Sequence, residues 1–342
     1  MIAFYILIAI LSFGFLIFIH ELGHFLCAKK FGVAITEFSL GMGPKIISRK
    51  GKDGVDYSLR LFPIGGFVAM EGEDSESDNP NAFNKKPAWQ RFIIVIAGAV
   101  MNLLVGIIII TIITSTQPMF GTTIVGGFTE NSHSEQAGLR QYDEIIKINN
   151  TRVHTSSELG YEIMRNGYKP ISLTIIRDGE EETIENVQFP QITSQGVVFG
   201  RSDFSVLGEE KTFSTVVKNS FFTSISTVKM IWDSLYDLVT GRYGVEQVSG
   251  PVGVTGAITE AAKTGAYQLF YLIAVIAINL GVFNLLPIPA LDGGSLLLIL
   301  VEMITRKKLP EKIEFAIKAI GFALLMLIAL LVTFKDVIYL FK

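Results

Sequence analysis

The sequence predicts a membrane protein, mainly α-helical. Four transmembrane helices are joined by a membrane-associated β-hairpin region on the cytoplasmic side and one α+β domain on the outer side. Three observations carry this reading. Hydrophobic residues make up 49% of the 342-residue chain and charged residues 18%, a balance that moves the expectation from two or three soluble domains toward a membrane protein. Four apolar stretches have the composition of spanning helices. Basic residues gather in the connections between the first and second and between the third and fourth of these stretches.

The first span is read over about residues 2–27. Residues 1–19 carry no charge and no basic residue precedes the apolar core. A cleaved signal peptide would have a basic leader and a small-residue cleavage site, so the segment is read as a retained span. The connection that follows contains two β stretches, 34–40 and 57–68. They are bounded by Gly41 and Gly43, by Gly51 and Gly54, and by Gly65 and Gly66, the punctuation of a small sheet or hairpin set. Residues 73–81 are polar and read as a loop. The second span is the charge-free stretch 92–114.

Residues 122–190 read as a compact domain with short strands at 123–125, 144–148, 172–177 and 182–187. Two helical pieces are expected beside them, 134–137 and 156–165, the second capped by Thr155 or Ser156. Residues 213–240 place Phe213, Val217, Phe221, Ile225, Val228, Trp232, Leu235 and Val239 at helical spacing, closed by Gly241. The third span is read over 268–301, with Asp292 its only charged residue, and the fourth over 319–340, where Lys335 and Asp336 fall near the end. The chain thus divides into 1–30, 31–88, 89–117, 118–205, 206–245, 246–304 and 305–342.

Orientation follows from charge. Lys29, Lys30, Lys45, Arg49, Lys50, Lys52, Arg60, Lys85, Lys86 and Arg91 mark the first connection as cytoplasmic, and Arg306, Lys307, Lys308 and Lys312 mark the last. Both termini and the 118–267 region then face outward. A net charge of −3 with no basic block argues against a nucleic-acid partner. The single cysteine, Cys27, excludes an internal disulfide and a cysteine-based zinc site, so any metal must be held by His and carboxylates.

The chemistry lies in His20-Glu21-Leu22-Gly23-His24. On a helix His20 and His24 stand about 40° apart and Glu21 about 60° from His24, so two imidazoles can share one Zn²⁺ with a carboxylate beside it. Zinc lowers the pKa of a coordinated water to around 7, and the carboxylate can take its proton. Three ionisable residues inside an apolar span each cost several kcal/mol, roughly, unless compensated, which favours a ligand role over chance occurrence of the motif. A catalytic zinc needs a third protein ligand, and Asp292, between Pro287-Ile288-Pro289-Ala290-Leu291 and Gly293-Gly294, is the candidate. Broken helix at that depth belongs where it is buried in protein or lines a polar cavity; a simple proline kink is the alternative. Asn284, Asn279 and Asn102 are further polar groups within spans, suited to a substrate carbonyl or oxyanion or to hydrogen bonding between helices. Gly98, four residues before Asn102, permits close helix packing.

Together, these two motifs and Gly98-Ala99-Val100-Met101-Asn102 resemble the site-2 protease family of intramembrane zinc metalloproteases, in its bacterial regulated-intramembrane-proteolysis branch. The resemblance covers nearly the whole chain. Phe38-Ser39-Leu40-Gly41-Met42-Gly43-Pro44-Lys45 and Pro63-Ile64-Gly65-Gly66-Phe67-Val68 are similar to that branch's membrane-reentrant β region. Ser249-Gly250-Pro251-Val252-Gly253 is similar to its signature before the third span. Asn131-Ser132-His133-Ser134-Glu135-Gln136-Ala137-Gly138-Leu139 and Asp143-Glu144-Ile145-Ile146-Lys147-Ile148-Asn149 resemble a PDZ domain, with His133 in place of the usual Pro and Tyr142 in place of the usual Gly.

The resemblance implies one Zn²⁺ per chain held by His20, His24 and Asp292, with Glu21 as catalytic acid/base. It implies that Gly65, Gly66, Phe67 and Val68 offer an edge strand to an unwound substrate. It also implies a bacterial cytoplasmic-membrane enzyme, embedded in the lipid bilayer, that cuts within a single-span membrane protein already shortened by a site-1 protease. An anti-sigma factor or a remnant signal peptide is the substrate type implied. One outer PDZ domain would screen substrates or exclude large ectodomains. A scaffold with a dead site and a metal transporter are the competing classes; the presence of Glu21 with all three candidate ligands weighs against the first, and the His-Glu-x-x-His order has no special logic for transport.

Overall fold

The computed structural model describes residues 2–73, 77–194, 196–308 and 310–340. The chain forms two compact units, residues 1–109 with 248–342, and residues 110–247. Among the described residues, four helices are long and apolar enough to cross a membrane: Ile6–Lys30, Ala88–Ser115, Ala266–Leu285 and Lys312–Ile338. The chain is therefore a membrane protein that also carries β-structure.

The first unit begins with α1 (Ile2–Lys30), which runs without interruption through the His-Glu-x-x-His residues and ends where Gly32 turns left-handed at φ 65°. Strands β1 (Ile35–Lys50) and β2 (Asp56–Met70) follow. Both are longer than the sequence indicates, because each bends at its glycines instead of stopping there. Ser39 pairs with Phe67 and Leu40 with Gly66, while Ser39 also faces Ser58 and Arg49 faces Tyr57. The resulting order is 66–70, 35–40, 56–59, 47–50, with residues 66–70 at an edge. The sheet packs on α1 through Phe38 and Tyr57, whose rings lie 4.9 and 6.0 Å from that of Phe25.

Helix α2 (Ala88–Ser115) covers the second predicted span. Later in the chain, α6 (Pro251–Thr264), α7 (Ala266–Leu285), α8 (Asp292–Thr305) and α9 (Glu311–Leu340) complete the first unit. Here the third span departs from the expected 268–301. Pro287 and Pro289 have no N–H to continue α7, and Ala290 is left-handed at φ 75°, so the chain restarts as α8 with Asp292 in its first turn. At 14 residues α8 is about 21 Å long and too short to span. The fourth helix starts earlier than 319, because Lys312 and Lys318 are compatible with a helix end whose long side chains reach polar surroundings. Asp336 of α9 accepts hydrogen bonds from the backbone of Gly250 (2.9 Å) and Gly253 (2.8 Å), closing the start of α6. A partly buried ion pair, Arg91 to Glu302 at 2.5 Å, ties α2 to α8.

The second unit has a sheet of order β10-β3-β4-β6-β7, formed by β3 (Met119–Phe128), β4 (Glu144–Ile148), β6 (Ile171–Arg177), β7 (Glu180–Val187) and β10 (Phe204–Glu210), with β5 (Thr151–Arg152) beside β4. Helices α3 (His133–Gln136) and α4 (Ser156–Asn166) match the expected pieces to within a residue, and α5 (Phe213–Val239) matches the amphipathic stretch. Leu159 and Ile163 of α4 close a core of Val125, Ile145, Leu173, Ile175 and Phe189. Strands β8 (Gln191–Ser194), β9 (Val197–Gly200) and β10 carry too little alternation to be read from sequence, and β10 extends the sheet past residue 205.

Candidate metal centre

Because α1 is regular, His20 and His24 project from one face, and their Nε2 atoms lie 3.2 Å apart. The break after α7 swings Asp292 onto the same point. Its Oδ2 lies 3.2 Å from His20 Nε2 and 3.3 Å from His24 Nε2. Donors held at 2.0–2.2 Å from a tetrahedral Zn²⁺ stand about 3.3 Å from one another, the spacing these three atoms adopt. Asp292 Oδ2 is buried without a hydrogen-bond partner. An anionic oxygen so placed costs far more than a neutral group unless a cation compensates it. The imidazole of His24 supplies a further sign. Its Nδ1 lies 2.8 Å from the carbonyl oxygen of Ile94, an acceptor only, so Nδ1 carries the proton and the Nε2 lone pair faces the cluster. The spacing of the three donors, with a His24 tautomer that leaves Nε2 free toward Asp292 Oδ2, fits Zn²⁺.

Glu21 stands one residue from His20, and it lines the same cleft as Val68. A Cβ on Gly66 would lie 3.4 Å from Glu21 Cγ, so the edge strand runs close beside the acid. A cleft of about 820 Å³ opens there, lined by His20, Glu21, His24 and Asp292 on one side and by residues 67–73 on the other. Ser295, one turn after Asp292, also lines it. Of the acidic loop 71–78, residues 74–76 lie outside those described.

The expected site residues thus divide. His20, Glu21, His24, Asp292, Phe67 and Val68 meet around one cleft. Gly65 and Gly66 are in the adjoining strand. Asn279 and Asn284 are half-buried on α7 and do not line the cleft. Asn102 is 1% exposed and touches His20, not the cleft, with Nδ2 at 3.4 Å from Nδ1. The Ile94 carbonyl escaped sequence reasoning because a backbone group has no letter; Ser295 was signalled only by its place one turn beyond Asp292.

Known proteins extend the picture. Peptidase family M50 matches residues 8–328. A putative zinc metalloprotease of Clostridium acetobutylicum is 40% identical, over 98% of this chain and 98% of its own length. One from Clostridium perfringens is 37% identical, over 98% and 99%. The regulator of sigma-W protease RasP of Bacillus subtilis is 30% identical, over 97% and 98%.

Proposed function

The chain belongs to peptidase family M50, and from that premise we propose that it hydrolyses a peptide bond inside the transmembrane segment of a single-span membrane protein. It is a zinc metalloprotease, with Zn²⁺ as its metal. In this reading His20, His24 and Asp292 hold the ion and Glu21 is the general acid/base. The observation that carries it is the meeting of those three donors, two of them on the same helix as Glu21, which is apolar enough to span a bilayer. Zinc, when bound, supplies the Lewis acidity that makes water nucleophilic at neutral pH. Glu21 takes the proton of the attacking water and returns it to the amine nitrogen as the C–N bond breaks.

A substrate helix hides its peptide bonds, so it must unwind, and the freed N–H and C=O groups then need partners. Residues 66–70 supply such an edge. Among the described residues they pair with 35–40 alone, and Val68 and Ala69 border the cleft beside Glu21. Strand addition there fixes the scissile carbonyl by backbone bonds and leaves side-chain identity weakly specified. Residues 118–205 are read as the outer PDZ domain that screens or excludes ectodomains, and α5 as an amphipathic helix at the outer membrane surface. Its stripe Phe213, Val217, Phe221, Ile225, Trp232 and Tyr236 is exposed. The relative named for sigma-W regulation favours an anti-sigma factor type of substrate in a bacterial cytoplasmic membrane. Cleavage would then be the second cut, after a site-1 protease.

The test uses the full-length protein in bilayers with a single-span substrate. Cleavage inside the apolar segment should stop with a chelator and return with Zn²⁺. Glu21→Gln should slow it by about 10²–10⁴-fold while zinc content is unchanged. Undiminished cleavage by the Glu21→Gln protein would overturn the mechanism.

A further inference from the structure

The face of α2 turned toward α1 meets the two imidazoles at three successive turns. At Ile94 a carbonyl oxygen takes the His24 Nδ1–H at 2.8 Å. At Gly98 an added Cβ would fall 2.4 Å from His24 Nε2 and 2.8 Å from His20 Cε1, closer than real Cβ atoms approach anything. The missing side chain is the space in which both rings stand. At Asn102 the side-chain amide, 1% exposed, reaches His20 Nδ1 at 3.4 Å. Residues 94, 98 and 102 are spaced by four and so share one flank of the helix.

The amide at Asn102 carries an internal contradiction that identifies its role. Nδ2 faces His20 Nδ1, while Oδ1 is buried without a partner. With His20 Nε2 directed at Asp292 and His24, its lone pair belongs to that cluster and the ring proton sits on Nδ1. An NH₂ group cannot accept that proton, and a carbonyl can. The two ends of an Asn amide have nearly the same shape, and half a turn about the Cβ–Cγ bond exchanges them. That turn brings the orphaned acceptor to Nδ1, as the Ile94 carbonyl already stands for His24.

We propose that Asn102 is a positioning residue: its Oδ1 accepts the His20 Nδ1–H and holds the tautomer and ring orientation in which Nε2 points at zinc. Gly98 is the complementary element, the gap that lets both rings occupy that position. The proposal rests on His20 and His24 being zinc ligands. It assigns Asn102 no contact with substrate.

The test reads zinc affinity by competition with a chromophoric chelator, using the full-length protein in detergent. Variants are Asn102→Leu, which keeps the volume and removes both polar ends, and Asn102→Asp, which keeps an acceptor and removes the NH₂. Loss of an outer hydrogen-bond partner of a ligating His weakens metal binding by about 10–100-fold; Asn102→Leu should show that loss, and Asn102→Asp should stay within about threefold of wild type. Melting of the metal-free proteins checks that both variants fold. Should Asn102→Leu not fold, Asn102→Asp decides alone, because a donor role predicts a loss there too. Wild-type affinity in Asn102→Leu, or an equal loss in Asn102→Asp, overturns the proposal. His20→Ala separates it from the premise. If that variant binds zinc like wild type, the ligand assignment has failed; if it loses zinc while Asn102→Leu does not, only the role of Asn102 has.

Discussion

The metal centre of the first unit and the surroundings of α3 and β6 in the second bury carboxylates in opposite ways. In the second unit Asp203 and Asp143 are saturated. Asp203, 2% exposed, takes the backbone N–H of His133 (2.7 Å) and of Ser134 (3.0 Å) and the Ser134 hydroxyl (2.6 Å). Asp143, also 2% exposed, takes Arg177 Nε at 2.8 Å, Arg177 Nη2 at 2.6 Å and the Arg140 N–H at 2.7 Å. Between α4 and α5, Glu162, Arg165, Lys229, Asp233 and Asp237 form one connected network. Tyr161 joins it at Asp233; burial pushes its hydroxyl up to about 12, so it stays a proton donor at working pH. The first unit instead leaves Asp292 Oδ2 and Asn102 Oδ1 without partners at one place. A saturated carboxylate has completed a structural task. An unsaturated one, within 3.3 Å of two ring nitrogens, is what a cation site looks like when it is described by protein atoms alone.

The contrast is broken most strongly at Asp292. Asp292→Asn keeps shape and removes the anion, and zinc affinity should fall by more than the roughly 10–100-fold typical of an outer partner. Hydrolysis should fall with it, and thermal stability of the metal-free protein should hold or rise, since an uncompensated buried charge is gone. Metal content and melting of the same preparation measure both. Unchanged zinc affinity would remove Asp292 from the ligand set.

The reverse experiment is Asp203→Ala in the second unit. Three hydrogen bonds to a buried carboxylate are lost, and the start of α3 is left with orphaned donors. A destabilisation of about 3 kcal/mol is expected from bonds of this kind, with zinc affinity unaltered. Hydrogen exchange read segment by segment across residues 110–247 should report it. A change confined to residues outside that unit would contradict the division drawn between saturated and unsaturated carboxylates.

Much of this contrast is legible in the letters, and the remainder is lost for definite reasons. Charged residues within apolar runs stand out, so the sequence alone points to His20, Glu21, His24 and Asp292 as one cooperating set. Pro287 and Pro289 announced broken helix, yet the run of apolar residues after Asp292 hid that α8 is a separate short helix. Gly98 was read as a place for close helix packing; what packs there is a pair of imidazoles, a distinction that requires knowing how α1 is rotated. Strand β8 is not legible because Gln191 to Ser194 are all exposed and show no alternation, and β9, at four residues, is too short for a period to register. Backbone acceptors such as the Ile94 carbonyl leave no trace in sequence at all.

The smallest predicted effect tests a departure visible in sequence. Tyr142 stands where a left-handed turn is expected to carry Gly, and it adopts φ 73°, with its N–H bonded to the Val125 carbonyl at 2.9 Å. The turn geometry is thus kept and the side chain bears the strain. At 68% exposed the ring buries little in return. A non-Gly residue in this region costs about 1–2 kcal/mol, while Gly adds backbone freedom to the unfolded chain worth about 0.5–1 kcal/mol. Tyr142→Gly should therefore stabilise the second unit by up to about 1 kcal/mol, read as slower exchange of the Val125 and Asp143 amides. Zinc affinity should not change, because none of the proposed zinc donors belongs to the unit that carries this turn. Destabilisation instead would mean that the exposed ring has a packing partner at this turn that outweighs its backbone strain.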